Sequence, residues 1–531
     1  MKNRFKINFT LAVFALVLVV GCTDNFDEIN TDPNTLTTGQ LDASFAGPAF
    51  GNAQYKGLHH GSFTGVGDDV GTFGLITMLH SMLFVQYEAA VPTSWATERN
   101  GINDGWRDRG WLRFYTIAVP ALNIAYEAAE GNEEAIAILD VWKVFMYHQM
   151  TDSWGPIPYT EAGSGASTIA YDSQEFIYND FFELLESANS TLAASGNATV
   201  GIFETSDRIY SGDIEMWRKF ANTLRLRLAL RISEVDPAKA KNQAEAAVAA
   251  GVIETNAESG TFKVSEQTPN NFNQLSGFSG WGFRMSASME SILEGYGDPR
   301  LQKWFTPGPN TTEYIGQPSG GGTIRSWDND DIAATSTEFF GNDKRATKNI
   351  EIIMASESFL NRAEGVLKGW NMGGGTARSY YERGIQLSMQ QWGITDASAV
   401  SAYLAGTSTP SQPNLVAEYA NVGLSTTPPV SVPVAWASSI EDQLEQIAVQ
   451  KYLALFPESW ETWSDLRRSN ADILYPLLNT ENTDANVGRG LMKRLTYLPN
   501  EYSTNTEAVN AAVSTLGGQD VGGTLVWWDV D

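Results

Sequence analysis

Apolar side chains recur at intervals of three and four along most of this chain, a spacing that commits it to a fold built mainly from α-helices. Over 111–130 the pattern puts Trp111, Phe114, Tyr115, Ala118 and Leu122 on one face, and Gly131 ends the run. A second run over 133–150 follows closely enough for a helical hairpin. Segment 174–192 carries Phe176, Ile177, Phe181, Leu184, Leu185 and Ala188. In 213–233 the set is Trp217, Phe220, Ala221, Leu224 and Leu228, with Arg218, Arg225 and Arg227 mostly off that face. Asp236 and Pro237 open another helix, where the missing N–H of an early proline costs nothing. Ile352, Ala355, Phe359, Ala363, Val366 and Leu367 form a stripe that ends near Gly369, and further helices follow over 377–392 and 443–456.

Helix pairs at intervals of roughly 30 to 40 residues predict a repeat architecture of the tetratricopeptide kind. Between them lie stretches rich in Gly, Asn, Ser and Thr, at 43–74, 91–110, 258–283 and 306–342. Loops of this length are uncommon in a compact domain unless they serve a function. The expected fold class is therefore mainly α, with tetratricopeptide-like helix pairs supporting a loop-rich, irregular half. A chain of 531 residues has length for several domains, but no Pro-rich or Ser-rich linker divides it, so 41–531 reads as one large domain.

The N-terminus states where that domain is placed. Lys2, Arg4 and Lys6 precede an apolar run over 11–20, and Leu18, Val19, Val20 and Gly21 lead into Cys22, the sole cysteine. The run is half of the roughly 20 residues that span a bilayer, which fits a cleaved signal peptide better than a transmembrane helix. Small residues before a cysteine at the end of such a run mark a bacterial lipoprotein: 1–21 is the signal peptide and Cys22 takes the lipid. Several acyl chains, each buried CH2 worth about 0.8 kcal/mol, make such an anchor effectively permanent. Residues 22–40, beginning Cys22, Thr23, Asp24, Asn25, Phe26, Asp27 and Glu28, form an acidic and polar tether.

Thirty-five basic against 62 acidic residues give a net charge of -27, which argues against nucleic acid or anionic lipid headgroups as partners. With its one cysteine lipidated, the chain has no disulfide, thiolate nucleophile or cysteine-ligated zinc site to offer. Sixteen Trp, 19 Tyr and 25 Phe are more aromatic surface than a core needs, so part of it is free to face a ligand.

A set of motifs recurs in order along the chain. They are Asn30 to Asn34 (Asn-Thr-Asp-Pro-Asn), Asp152 to Tyr159 (Asp-Ser-Trp-Gly-Pro-Ile-Pro-Tyr) and Ser358 to Glu364 (Ser-Phe-Leu-Asn-Arg-Ala-Glu). Trp463 to Arg468 (Trp-Ser-Asp-Leu-Arg-Arg), Arg494 to Tyr502, and the closing Val526, Trp527, Trp528 and Asp529 complete it. Together with the lipidation signal this set resembles the SusD/RagB lipoproteins of Bacteroidetes, in the SusD-like branch, from residue 22 to the end. The resemblance implies a non-catalytic surface lipoprotein on tetratricopeptide-like helices. Such a protein captures a glycan, or in some members a peptide, and passes it to a SusC-type TonB-dependent transporter of the outer membrane. Arg362, Glu364, Asp465 and Arg467 lie on or beside apolar helices and are expected to form structural ion pairs; the 154–158 turn is expected to pack.

Ligand contacts are expected in the loops. A sugar ring stacks its C–H face on an aromatic ring and offers hydroxyls to amide and carboxylate side chains. Segment 270–283 interleaves Phe272, Phe278, Trp281 and Phe283 with amides and glycines. Segment 93–100, with Trp95, resembles the loop that places a tryptophan in the family's glycan site, and Tyr314 and Trp327 flank Gly320, Gly321 and Gly322 in the region where the family supplies other aromatics. The candidate ligand-binding residues are Trp95, Trp281, Trp327 and Tyr314, with Asp69, Arg99, Asn103 and Asn273 as polar contacts.

An enzyme is not expected. A glycosidase needs two carboxylates about 5 to 9.5 Å apart, a pair that 62 acids supply by chance. His59, His60, His80 and His148 have no metal-ligand spacing, no GxSxG elbow occurs, and the 320–322 glycines lack the Lys-Ser/Thr of a phosphate loop. No cofactor is expected beyond a structural calcium ion left open at Asp328, Asn329, Asp330 and Asp331, a run that departs from the EF-hand in having no sixth-position glycine and Phe339 at the twelfth. The alternatives are a peptide-capturing lipoprotein of the same architecture, a glycoside hydrolase, and a plain helical scaffold.

Overall fold

The computed structural model describes residues 42–58, 69–92, 94–166, 168–277, 282–321, 329–414 and 423–530, with backbone alone at 69, 70 and 329. Cys22, the signal peptide and the tether lie outside the described residues.

The longer helices are α1 (Ala43–Gly57), α2 (Asp104–Arg113), α3 (Val119–Ala128), α4 (Glu133–Trp154), α5 (Gln174–Ala194), α6 (Ile214–Arg231), α7 (Pro237–Ala250), α8 (Ala287–Tyr296), α9 (Ala355–Leu367), α10 (Ala377–Gln391), α11 (Ile440–Leu455) and α12 (Ser459–Ser469). They pack as antiparallel neighbours, α4 with α5, α6 with α7 and α9 with α10, while α6 also joins α5 and α9, and α9 meets α11. This is the predicted mainly helical fold in one domain with tetratricopeptide-like pairing. The start signals are local. Asn132, Ser173, Asp213 and Asp236 each accept a first-turn backbone N–H and begin α4, α5, α6 and α7, an arrangement worth about 1 kcal/mol per helix. Gly155, at φ +84°, takes the conformation that ends α4 before Pro156.

Aromatic rings fill the seams. Trp142 stacks on Phe145 at 4.9 Å and sends its Nε1–H to Ala53 O at 3.1 Å, joining α4 to α1. Trp217 meets Trp142 edge-on. Charges then cross the helices beneath water. Arg227 pairs with Glu357, and Arg231 donates to both oxygens of Glu461 at 2.7 Å and lies 3.3 Å from Asp152. Arg468 grips Glu364 with two parallel bonds at 2.7 and 2.8 Å and shares Asp465 with Lys451. Of the structural ion pairs expected on α9 and α12, those of Glu364 and Asp465 are present, Arg362 pairs with Glu254 at 2.9 Å, and Arg467 forms none. Glu364 and Asp465 serve Arg468, whereas Arg467 donates to the carbonyls of Asp152 and Lys493 and lies over the Trp463 ring at 3.9 Å.

Two expected loops are shorter than the sequence suggested. Segment 43–74 contains α1, whose Gly47 and Gly51 read as loop but are packing positions: a Cβ there would come within 2.4 Å of Ile202 O and 2.6 Å of Ser206 O. The 91–110 stretch yields its end to α2. Between α2 and α3, the five residues Phe114–Ala118 widen into a π turn, because Pro120 has no N–H to give Thr116 and its ring crowds that carbonyl.

Among the described residues there are three two-stranded antiparallel sheets. β1 (Glu88–Ala90) pairs with β3 (Phe283–Met285), β2 (Gly260–Phe262) with β6 (Ile350–Ile353), and β4 (Phe305–Thr306) with β5 (Ala334–Thr335). Among the described residues no helix is long and apolar enough to cross a membrane.

Candidate functional site

The β1–β3 pair sets two sequence-distant loops side by side. Its register joins Ala90 to Phe283, and one step further Val91 N–H donates to Gly282 O at 2.9 Å. The segment carrying Trp95 therefore runs beside the end of the amide- and aromatic-rich segment 270–283. Trp95 is half-buried, with its ring 5.1 Å from that of Phe283 and tilted by 37°. Trp281 and Trp327 lie outside the described residues, as does the side chain of Asp69.

A third segment is tied to the same pair. Gln317 donates its Nε2–H to Ala90 O at 2.5 Å, its backbone N–H to Met285 O at 2.7 Å, and its carbonyl accepts from Ala287 at 2.8 Å. Glu98 closes the arrangement. It is buried, and its two carboxylate oxygens accept from Ala90 N at 3.0 Å and Gly320 N at 2.9 Å. One side chain thus joins the strand to the glycine loop, and Gly320 fits at φ +79°, where a Cβ would come 2.9 Å from Leu477. Tyr314, on the same segment, is half-buried, and desolvation followed by the nearby Glu294 charge raises its phenol pKa.

The polar candidates have other occupations. Arg99 is 7% exposed; its Nε donates to Glu481 at 2.6 Å and its Nη1 to Trp95 O at 3.3 Å, so it holds the loop that carries Trp95. Asn273 is fully buried and donates to the carbonyls of Phe339 and Gly341 at 3.0 and 3.1 Å. In this structure both side chains are spent on holding loops. Asn103 caps α2 by accepting from Trp106 N at 3.2 Å.

Sequence reasoning missed Glu98, Gln317 and the whole of 479–482, whose Asn479 donates to Gly320 O, Glu481 N–H to Arg99 O and Asn482 to Asn100 O. The density of Asn, Thr and Asp from 479 to 486 was the available signal. It also gave no sign of Glu88, which is buried under the site with neither oxygen hydrogen-bonded and whose carboxyl is pushed up to about 8 by desolvation, partly offset by Arg284.

The described histidines are core residues. His80 Nδ1 lies 2.7 Å from Leu75 O and burial lowers its pKa to about 4, while His148 Nδ1 is 2.6 Å from Phe145 O. Asn329–Asp331 form a single 3-10 turn in which Asp331 accepts from Asn310, and Asp328 lies outside the described residues. Among the described residues no group of three or more His, Cys, Asp or Glu side chains is placed to hold a metal ion.

The family model described as Susd and RagB outer membrane lipoprotein, SusD-like, matches residues 28–529. The chain belongs to this family. Among solved structures it is similar to a chitin-binding SusD homologue from Flavobacterium johnsoniae, with 34% identity and a TM-score of 0.79 over 92% of this chain and 99% of the other. A SusD homologue from Bacteroides vulgatus matches with 26% identity and a TM-score of 0.80, covering 91% and 97% of the two chains. A SusD-like protein from Bacteroides thetaiotaomicron matches with 27% identity and a TM-score of 0.79, covering 92% and 99%. No curated protein matches the chain.

Proposed function

We propose that this protein is a non-catalytic, cell-surface glycan-binding lipoprotein, anchored through Cys22, that captures an oligo- or polysaccharide and hands it to a SusC-type TonB-dependent transporter. The observation that carries this reading is Trp95: a large ring, half-buried, backed by Phe283 and held by three clamped loops, in a chain of SusD-like membership. An indole fixed against a second ring loses little entropy on binding and presents a flat apolar face to a sugar. Trp281 and Trp327 would extend the platform from the adjoining loops. The chitin-binding homologue at 34% identity makes β-linked N-acetylglucosamine oligomers the first ligands to try. An open site of this kind corresponds to affinities of about micromolar.

The test is a titration of the soluble chain from residue 24 onward with chito-oligosaccharides, other polysaccharides and peptides, read by tryptophan fluorescence, with product release followed in the same tubes. Saturable binding to a glycan, weakened in Trp95→Ala or Trp281→Ala and without hydrolysis, is the expected result. Binding to peptides alone, or release of sugar, would overturn it. Handover is tested by co-purification with the transporter from the outer membrane.

A further inference from the structure

Asn100 and Gly101 form the only Asn-Gly pair in the sequence. They follow the 3-10 turn Ala96–Arg99, in the loop that carries Trp95. With no Cβ on the second residue to shield its amide nitrogen, that nitrogen reaches the asparagine Cγ readily in an unfolded chain, which makes this the most labile setting for an asparagine.

The fold nevertheless needs both residues. Asn100 sits at φ 57° and ψ 18°, a left-handed conformation that asparagine tolerates better than most side chains. It is 3% exposed, and its Nδ2–H donates to Gly490 O at 2.8 Å. Its backbone N–H donates to Thr97 O at 3.1 Å, and its carbonyl accepts from Asn482 Nδ2 at 3.0 Å. At position 101 a Cβ would come 2.8 Å from both Cβ and O of Ala96, so only glycine fits there.

The same contacts keep the reacting atoms apart. Gly101 N–H donates to Ala96 O at 2.9 Å, while the bond to Gly490 O fixes the Asn100 amide. For the nitrogen to swing onto Cγ, both bonds must break together. Two of the restraints on Asn100, from Gly490 and Asn482, come from chain 390 and 382 positions further on, and Glu481 N–H adds a bond to Arg99 O at 2.7 Å. Segment 481–490 is thus a strap across the labile pair.

We propose that Asn100 is a site of spontaneous deamidation that this strap gates. When the strap opens, Gly101 N gives its proton to hydroxide and bonds to Asn100 Cγ; the Cγ–Nδ2 bond breaks, and ammonia leaves with a proton from water. A second water then opens the cyclic imide, to aspartate where it splits the bond to Cγ and to isoaspartate where it splits the bond to the main-chain carbonyl carbon. Neither product fits the closed loop. Aspartate sets a buried carboxylate oxygen against Gly490 O in place of a donor, and isoaspartate adds a methylene to the main chain inside a tightly bonded turn. A loop that reacts while open therefore cannot reclose. The modification is independent of what Trp95 meets, whereas the loss of capture that follows it rests on the glycan reading above.

The test is incubation of the purified protein at alkaline pH, with and without urea, followed by peptide mapping by mass spectrometry and labelling with an isoaspartyl methyltransferase. In urea, Asn100 is expected to convert ahead of every other asparagine. In the native protein it should convert more slowly by about tenfold or more, because a gated reaction follows the open population. Asn482→Ala, which removes one bond of the strap, should speed native conversion by about two- to tenfold, the worth of a neutral hydrogen bond. Asn100→Asp, standing in for one product, should exchange amide hydrogens faster over 93–101 and bind glycan more weakly. Equal rates with and without urea, an Asn482→Ala rate equal to the wild type's, or an Asn100→Asp loop that exchanges like the wild type's would overturn the gated site. An opened loop in Asn100→Asp with undiminished glycan binding would instead overturn the role of Trp95 in capture.

Discussion

The helical half and the loop half of this protein are held together in different ways. In the helical half, several buried charges share each other: Arg227, Arg231, Asp152, Glu357 and Glu461 form one group, and Arg468, Lys451, Glu364 and Asp465 another, each spread over three or more helices. In the loop half, single residues bridge single gaps. Glu98 joins Ala90 to Gly320, Gln317 joins Ala90 to Met285, and Arg99 joins Trp95 to Glu481. A damaged network strands charges in the core and reaches the whole fold, whereas a lost clamp loosens one loop.

The largest expected effect breaks the helical side of this contrast. Arg231→Met leaves Glu461 and Asp152 buried with less compensation, at about 3 to 5 kcal/mol, and should lower the melting temperature followed by helical circular dichroism by several degrees. A variant melting with the wild type would dissolve the distinction. On the loop side, Glu98→Ala strands the N–H groups of Ala90 and Gly320 at about 1 to 3 kcal/mol each. Faster hydrogen exchange confined to the loops around 90 and 320 is expected, with a smaller change in melting; exchange spread evenly over the helices would refute local clamping.

Trp95→Ala sharpens the comparison at the surface. Loss of one stacking face, about 0.5 to 1.5 kcal/mol, corresponds to a two- to tenfold weaker glycan, with a small drop in melting temperature from the lost contact with Phe283. Equal affinity would remove Trp95 from the platform. A test of a different kind, read in pH, lies at Glu88. Its carboxyl is raised from an ordinary 4.5 to about 8 by burial, so the folded state keeps a proton that the unfolded chain releases across that window. Stability contributed at this site therefore declines as pH rises from about 4.5 to about 8. Glu88→Gln, which loses no hydrogen bond, should flatten that decline and be the more stable protein above pH 8; parallel urea titrations at several pH values decide it.

The same contrast explains what the sequence disclosed. Helices announce themselves through local signs, and Asn132, Ser173, Asp213 and Asp236 begin elements at the positions their chemistry suggests. Gly47 and Gly51 misled because a small residue means either a bend or a close approach, and the neighbour that decides, the 202–206 turn, is far along the chain. The aromatic loops were legible as composition, and β1–β3 does bring 93–100 to 270–283. The partners of the polar residues were not: Arg99 bonds Glu481, and Asn273 the Phe339 and Gly341 carbonyls, none of which has a local signature.

The bond from Arg99 to Glu481 spans 382 positions. The loop that presents Trp95 therefore waits for chain made very late, while helix pairs such as α4 with α5 can close as soon as they are made. Loop closure over such a distance is slow as well as late. A molecule interrupted before residue 479 would retain many of its hairpins and still lack the strap that holds the Trp95 loop, so an ordered loop there also reports that synthesis ran past residue 482.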